Sequence, residues 1–248
     1  MKRSKIFVLW YQGEKNAPDL VKLCISSIKN NSADHEVIVL DDHNLYEWIP
    51  KFPKEIERKF DNGIFSMQLK SDLIRYSLLE KYNCLWLDAT VFVSHPIPQS
   101  IFSKDFFTVV RTEAQKKDIS GKISPFIMGR NDSPKSRKIF SFCKKMLETY
   151  ILKEDDLINY LLVENILYIA IKHNNWLKKE IDTFFNNKKD VLGLVKKLNT
   201  EYDKNIDVFL KNNTFNKLNF HKNYSEKDVN GNLTVFGKLK EQYLKEEI

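Results

Sequence analysis

The sequence predicts an α/β fold with parallel strands, flanking helices and a mostly helical C-terminal part. Three observations predict it. An apolar run, a helical run and a second apolar run succeed one another within the first 40 residues. A helical stretch over 66–82 leads directly into an apolar stretch over 84–93. Beyond residue 133 helical spacing dominates. Strand, helix, strand within so few residues is a βαβ unit, which points to a ligand crevice at the carboxyl ends of its strands.

Residues 5–12 read as a buried strand, a short apolar run closed by Gly13. Asn16-Ala17-Pro18-Asp19 starts a helix, with Asn16 as its cap and Pro18 in the first turn; Leu20, Leu23, Cys24, Ser27 and Ile28 follow at helical spacing. Residues 35–40 give a second strand ending in Asp41-Asp42, a position that suits a ligand contact or a solvated turn. Pro50 and Pro53 break 44–60 into short helical pieces. Next come a helix over 66–82, a strand over 84–93 stopped by Pro96 and Pro98, and a strand over 105–111. A polar stretch over 112–122 reads as a mobile loop and 124–128 as a short strand. Helices over 135–152, 155–173 and 176–185, a strand over 206–210 and a charged helix from Lys238 complete the chain. The expected organisation is an α/β core over 1–130 with a helical part over 131–248 packed on the same domain.

The chain has 248 residues, 42% of them hydrophobic, enough for one domain that buries most of its apolar surface. Its three cysteines, Cys24, Cys84 and Cys143, are odd in number and lack CxxC spacing, which argues against a disulfide framework or a zinc site. No stretch approaches the roughly 20 apolar residues of a spanning helix, and the N-terminal run is too short for a signal core. A cytoplasmic protein is expected, with at most a peripheral contact at the inner face of the cell membrane. Net charge is +7, but 33 acidic residues are interspersed with 40 basic ones, so nucleic acid is not an expected partner. No P-loop, GxGxxG or GxSxG is present.

The helix over 66–82 carries an internal contradiction. On a wheel at about 100° per residue, Lys70, Ser77, Glu80 and Lys81 share one polar side. Asp72 and Arg75 fall almost opposite, beside Leu69, Leu79 and Tyr82, and so point toward the protein. Burying charge is costly unless it is paired or bound. Two readings follow: an i,i+3 pair that satisfies itself, or a pair lining a pocket for a polar, anionic ligand. Asp88 poses a similar choice in the apolar stretch Leu85-Trp86-Leu87-Asp88-Ala89-Thr90. It is either a turn carboxylate or a ligand for a divalent cation. Glu164, on an otherwise apolar helix, reads as solvent-facing, the alternative being an acid–base or orienting group beside an acceptor. His95, His173 and His221 show no metal-ligand spacing.

Ser71-Asp72-Leu73-Ile74-Arg75-Tyr76 together with Leu85-Trp86-Leu87-Asp88-Ala89-Thr90 resembles the DXD sugar-binding motif of one glycosyltransferase group. The nearest branch is the bacterial capsular polysaccharide synthesis glycosyltransferases, related to family 32. Trp10-Tyr11-Gln12-Gly13-Glu14-Lys15-Asn16-Ala17-Pro18 is similar to that branch's opening strand and turn. Ile158-Asn159-Tyr160-Leu161-Leu162 is similar to its mid-chain acidic-tyrosine helix, and Asn216-Lys217-Leu218 to its C-terminal His-Lys-Leu element. The resemblance implies a GT-A fold, a Rossmann-type mixed sheet flanked by helices, with 1–130 binding the nucleotide sugar. It implies a UDP-sugar donor, Mn²⁺ or Mg²⁺, and hexose transfer with retention to a capsule or exopolysaccharide intermediate, lipid-linked. Carried over, Asp72 and Arg75 hold sugar hydroxyls and diphosphate, Asp88 binds metal or ribose, and Trp10 and Gln12 lie beside the nucleotide. Thr90 stands at the second acid of DXD, and Asn216 at the position of a metal-binding His. Asn216 and Asn159, which replaces an Asp, motivate an alternative: a non-catalytic member that binds sugar nucleotide or a partner.

Overall fold

A computed structural model describes residues 4–113, 123–185 and 187–244 and shows an α/β chain. In chain order its elements are β1 (Lys5–Leu9), α1 (Asp19–Asn30), β2 (Glu36–Leu40), α2 (Leu45–Trp48), α3 (Lys54–Asp61), α4 (Met67–Lys81), β3 (Cys84–Leu87) and β4 (Val91–Val93). Then follow β5 (Phe107–Thr108), β6 (Ile127–Arg130), α5 (Pro134–Lys153), α6 (Leu162–Lys172), α7 (Asn175–Phe185), α8 (Lys204–Asn212), β7 (Phe215–Lys217) and α9 (Val235–Tyr243). Strand pairing is mixed: β1 and β2 run parallel, β5 and β6 antiparallel. The chain divides into two compact units, the first Met1–Asp42, Leu87–Gln99 and Lys189–Ile248, the second His43–Trp86 and Ser100–Lys188.

In the first unit β1 and β2 pair from Lys5↔Glu36 to Leu9↔Leu40, and α1 makes the crossover that a parallel pair requires. Asn16 does not cap α1. It ends a short 3₁₀ turn and donates its amide to Gln12 O at 2.8 Å, while Pro18 occupies the N-cap. Pro18 has no N–H to be satisfied and a fixed φ, so the helix begins just after it. The core beneath is built from Leu20, Leu23 and Cys24 of α1, Phe92 of β4, Ile206 of α8, Leu218, and Val235, Phe236 and Leu239 of α9. β4 pairs antiparallel with β7. The strand expected over 206–210 is helix α8. Ile206, Phe209 and Leu210 share one helical face, and the Asp203 carboxylate accepts the N–H groups of Asn205 and Ile206 at 2.8 and 3.2 Å.

The second unit places α4 along α5 and orders its strands β3, β6, β5. Gly129 lets β6 approach β3: a Cβ there would meet Leu85 Cδ1 at 3.2 Å and Cys84 O at 3.3 Å. Phe106 stacks on Phe140 of α5, and Tyr76 of α4 donates its hydroxyl to Val163 O of α6 at 3.0 Å. The helix expected over 155–173 starts only at Leu162. The Tyr150 hydroxyl donates to Asp156 O and accepts Ile158 N–H, both at 2.7 Å, and Asn159 Oδ1 accepts Leu161 N–H. Those bonds hold the preceding segment in turns. Asn159 and Tyr160 therefore precede the helix rather than belonging to it. The strand expected over 105–111 shortens to β5, and the loop expected over 112–122 falls largely outside the described residues. All three cysteines are buried free thiols. Among the described residues no helix is long and apolar enough to cross a membrane.

Candidate functional site

Helix α4 begins at Ser66, whose hydroxyl accepts Leu69 N–H, and is buried on nearly every side. Lys70 and Ser77, expected on a solvated face, are both buried. The Lys70 ammonium lies 2.7 Å from Glu57 on α3, and the Ser77 hydroxyl donates to Leu73 O at 2.8 Å. A single-helix wheel cannot register that α3 covers that face. The inward prediction for Asp72 and Arg75 is met: the guanidinium Nη1 lies 2.5 Å from Asp72 Oδ1, with side-chain exposures of 5% and 15%. The Arg75 guanidinium also sits over the Trp86 ring, 5.1 Å from its centroid. Glu164 is half-buried rather than solvent-facing. Desolvation raises its carboxyl above the ordinary glutamate range, opposed by its own backbone N–H and by the Arg75 and Arg111 charges. The second unit thus sets the Asp72–Arg75 pair with its guanidinium on an indole, and Glu164 within electrostatic reach of Arg75 and Arg111.

The stretch expected as one strand over 84–93 is broken at Asp88. β3 ends at Leu87, Asp88 O accepts Val91 N–H at 2.9 Å to close a turn, and β4 resumes at Val91. A carboxylate in an apolar run is accommodated by leaving the strand. In the first unit, Asp88 Oδ2 meets the Lys217 ammonium at 2.7 Å, and both side chains remain about a quarter exposed. Thr90 is buried, and its carbonyl accepts Leu218 N–H at 2.8 Å, locking the turn to the end of β7. Trp10, just past β1, packs edge-on against Phe220 with centroids 5.3 Å apart. Among the described residues its indole N–H is buried without a hydrogen-bond partner. Gln12 is exposed, and Asp41 lies beside Gly13, where a Cβ would stand 3.6 Å from Asp41 Oδ2. Gly13 has φ +78, a conformation that a side chain disfavours.

A family model described as capsular polysaccharide synthesis protein matches residues 1–239. The chain belongs to that family. No curated protein matches it.

The resemblance to the DXD group implies a divalent ion at Asp88 and Asn216. Asn216 pairs with Phe92 across the β4–β7 ladder and Lys217 pairs with Val91. Successive strand residues face opposite sides, so Asn216 shares the core side with Phe92 and Leu218, and Lys217 turns the other way toward Asp88. Asn216 is wholly buried; its Nδ2 donates to Asn213 O at 2.8 Å, and among the described residues its Oδ1 has no partner. Asp88 already holds an ammonium group, and among the described residues no three His, Cys, Asp or Glu side chains converge as a metal set. These donors do not fit a divalent ion shared by Asp88 and Asn216. Sequence reasoning gave no role to Lys217 or Phe220. The available signal was the tripeptide Asn216-Lys217-Leu218, in which a lysine adjoins the position assigned to metal.

Proposed function

We propose that this capsule-synthesis family member is a glycosyltransferase of the DXD group related to family 32, with a GT-A fold. In this reading it moves a hexose from a UDP-sugar to a lipid-linked surface-polysaccharide intermediate at the inner face of the cell membrane. The observation that carries the proposal is the inward Asp72–Arg75 pair, a carboxylate and a guanidinium on a helix that is otherwise covered. A carboxylate accepts hydrogen bonds from sugar hydroxyls, and a guanidinium fork suits phosphate oxygens. Asp72 orients the donor sugar, Arg75 stabilises charge developing on the diphosphate, and Asp88 and Thr90 sit at the nucleotide's ribose and phosphates. Trp10 and Gln12 flank the base. The C1–O bond to the β-phosphate breaks with its electron pair remaining on phosphate oxygen. The acceptor hydroxyl oxygen bonds to C1 on the same face, and its proton passes to the departing phosphate, so configuration is retained without a protein nucleophile.

The test is mass-spectrometric detection of UDP release from a panel of UDP-sugars, comparing wild type with Asp72→Ala and Asp88→Ala. Loss of one charge-assisted contact in the transition state lowers turnover by about 10–100-fold. If both variants turn over donor at the wild-type rate, the site assignment is wrong. Donor binding without release across every acceptor points instead to a non-catalytic sugar-nucleotide-binding protein, the reading that Asn216 favours by facing away from Asp88.

A further inference from the structure

The first unit supplies a cation where the family resemblance calls for a metal. Lys217 ends β7, and its backbone is fixed on both sides: its N–H donates to Val191 O at 2.7 Å, and Leu218 N–H donates to Thr90 O. Its ammonium reaches Asp88 Oδ2 at 2.7 Å while staying about a quarter exposed, so water and small solutes reach the pair. Phe220 follows three residues later, which limits the separation of the two Cα atoms to about 10 Å. Phe220 is more than a third exposed and meets Trp10 edge-on, and its other neighbour is the His221 ring at 4.0 Å. An aromatic platform and a partly exposed, carboxylate-held ammonium carried on chain positions that close match a base and a phosphate of one nucleotide.

We propose that Lys217 binds the diphosphate of the nucleotide donor, replacing a divalent ion at this position, and that Asp88 is the carboxylate that orients it. The inference rests on the nucleotide-sugar reading above and deepens it. A lysine binds phosphate as a point charge, needs no convergent carboxylates, and draws on the one acid that this turn provides. Asp88 then serves the diphosphate through Lys217, and its contact with the donor lies with the ribose. The divergence of Asn216 from Asp88 follows directly: with an ammonium in place, a second ligand on that face is unnecessary, and Asn216 turns its amide into the backbone of 213.

The experiment measures UDP and uridine binding by titration calorimetry, using the full chain after EDTA treatment and again with Mn²⁺ added. Wild type binds UDP in EDTA, and Mn²⁺ leaves the affinity nearly unchanged. Lys217→Gln weakens UDP by about tenfold or more and leaves uridine, which lacks phosphate, unaffected. Lys217→Arg restores most of the loss, because charge at that position is what UDP requires. Unchanged uridine binding also shows that the glutamine variant is folded. UDP binding that appears only with Mn²⁺, or equal losses for UDP and uridine, overturns the lysine role and leaves the nucleotide-sugar reading standing. Absence of binding by both ligands, with and without Mn²⁺, overturns both.

Discussion

Removing Arg75 tests the inward-facing pair at its most sensitive point. In Arg75→Ala the Asp72 carboxylate, 15% exposed, loses the guanidinium that lies 2.5 Å away. Breaking a buried pair by deleting one partner costs about 3–5 kcal/mol, and partial exposure places this case near 3. The guanidinium also leaves the Trp86 face, 5.1 Å from its centroid. A desolvated contact of that kind contributes about 1–2 kcal/mol, so the total loss is about 4–5 kcal/mol. Asp72→Ala costs less, about 2–3 kcal/mol, because the stranded guanidinium keeps its indole. In the double variant neither charge is stranded, and the cost falls below the sum of the singles by about 2 kcal/mol. Urea denaturation followed by circular dichroism at neutral pH reads all four proteins, with a constant m-value confirming that the same transition is compared. A loss below about 1 kcal/mol in Arg75→Ala, or a strictly additive cycle, means that the two side chains are solvated. The inward reading of α4 then fails.

Arg130 is fully buried, and its guanidinium donates to Leu79 O, to Glu80 O at 2.9 Å and to Asn131 O at 2.7 Å. Arg130→Met strands those carbonyls at a cost of at least about 4 kcal/mol, a large share of the ordinary 5–15. A thermal midpoint within a few degrees of wild type contradicts this. Glu164 has its carboxyl raised by desolvation, so its ionisation opposes folding: its contribution is present below the ordinary glutamate range and is lost as pH rises through the raised value. Glu164→Gln is therefore expected to gain stability relative to wild type as pH rises toward 7 and to lose that advantage in acid; a constant difference across pH refutes it. Asp203→Ala removes the α8 cap and lowers the urea midpoint, whereas a strand at 206–210 would predict no such dependence.

The elements that periodicity could reveal are those whose burial is decided locally. β1, α1 and β2 alternate as their apolar residues dictate, and α2 ends before Pro50 while α3 begins just after Pro53, as ring geometry requires. Ser66 starts α4 with the hydroxyl cap its position allows. Residues 206–210 misled because Ile206, Val208 and Phe209 favour strands by type, while the deciding features were the i,i+3,i+4 face and the Asp203 cap. Hydropathy alone runs through the break at Asp88, since apolar residues continue on both sides of the turn, and only the carboxylate itself pointed to a turn there. The same division holds at the candidate site. Asp72 and Arg75 were readable together because three residues on one helix fix their distance. Lys217 stands 129 residues from Asp88, and only the β4–β7 pairing and the Thr90–Leu218 bond bring the two into contact.

Helix α4 is clamped from several directions, and that bears on why a paired charge sits on it. Near its start, Lys70 reaches across to Glu57, and its ammonium also lies over the Phe60 ring. In the middle, Tyr76 ties it to Val163 O. At its end, Arg130 takes the last carbonyls, where a cation also complements the helix dipole, and Lys144 of α5 meets Glu80 at 2.9 Å. Each clamp carries a desolvation cost that an apolar contact would avoid, and together they fix the rotation of α4 about its axis as well as its position. A purely hydrophobic helix of this length packs in several rotations of similar energy; one held by directional bonds at its start, middle and end does not. Asp72 and Arg75 inherit that fixed rotation. In the transfer proposed above, stabilisation of a departing diphosphate depends on charges already oriented before the bond breaks, so a helix held in one rotation is a place where such a pair contributes.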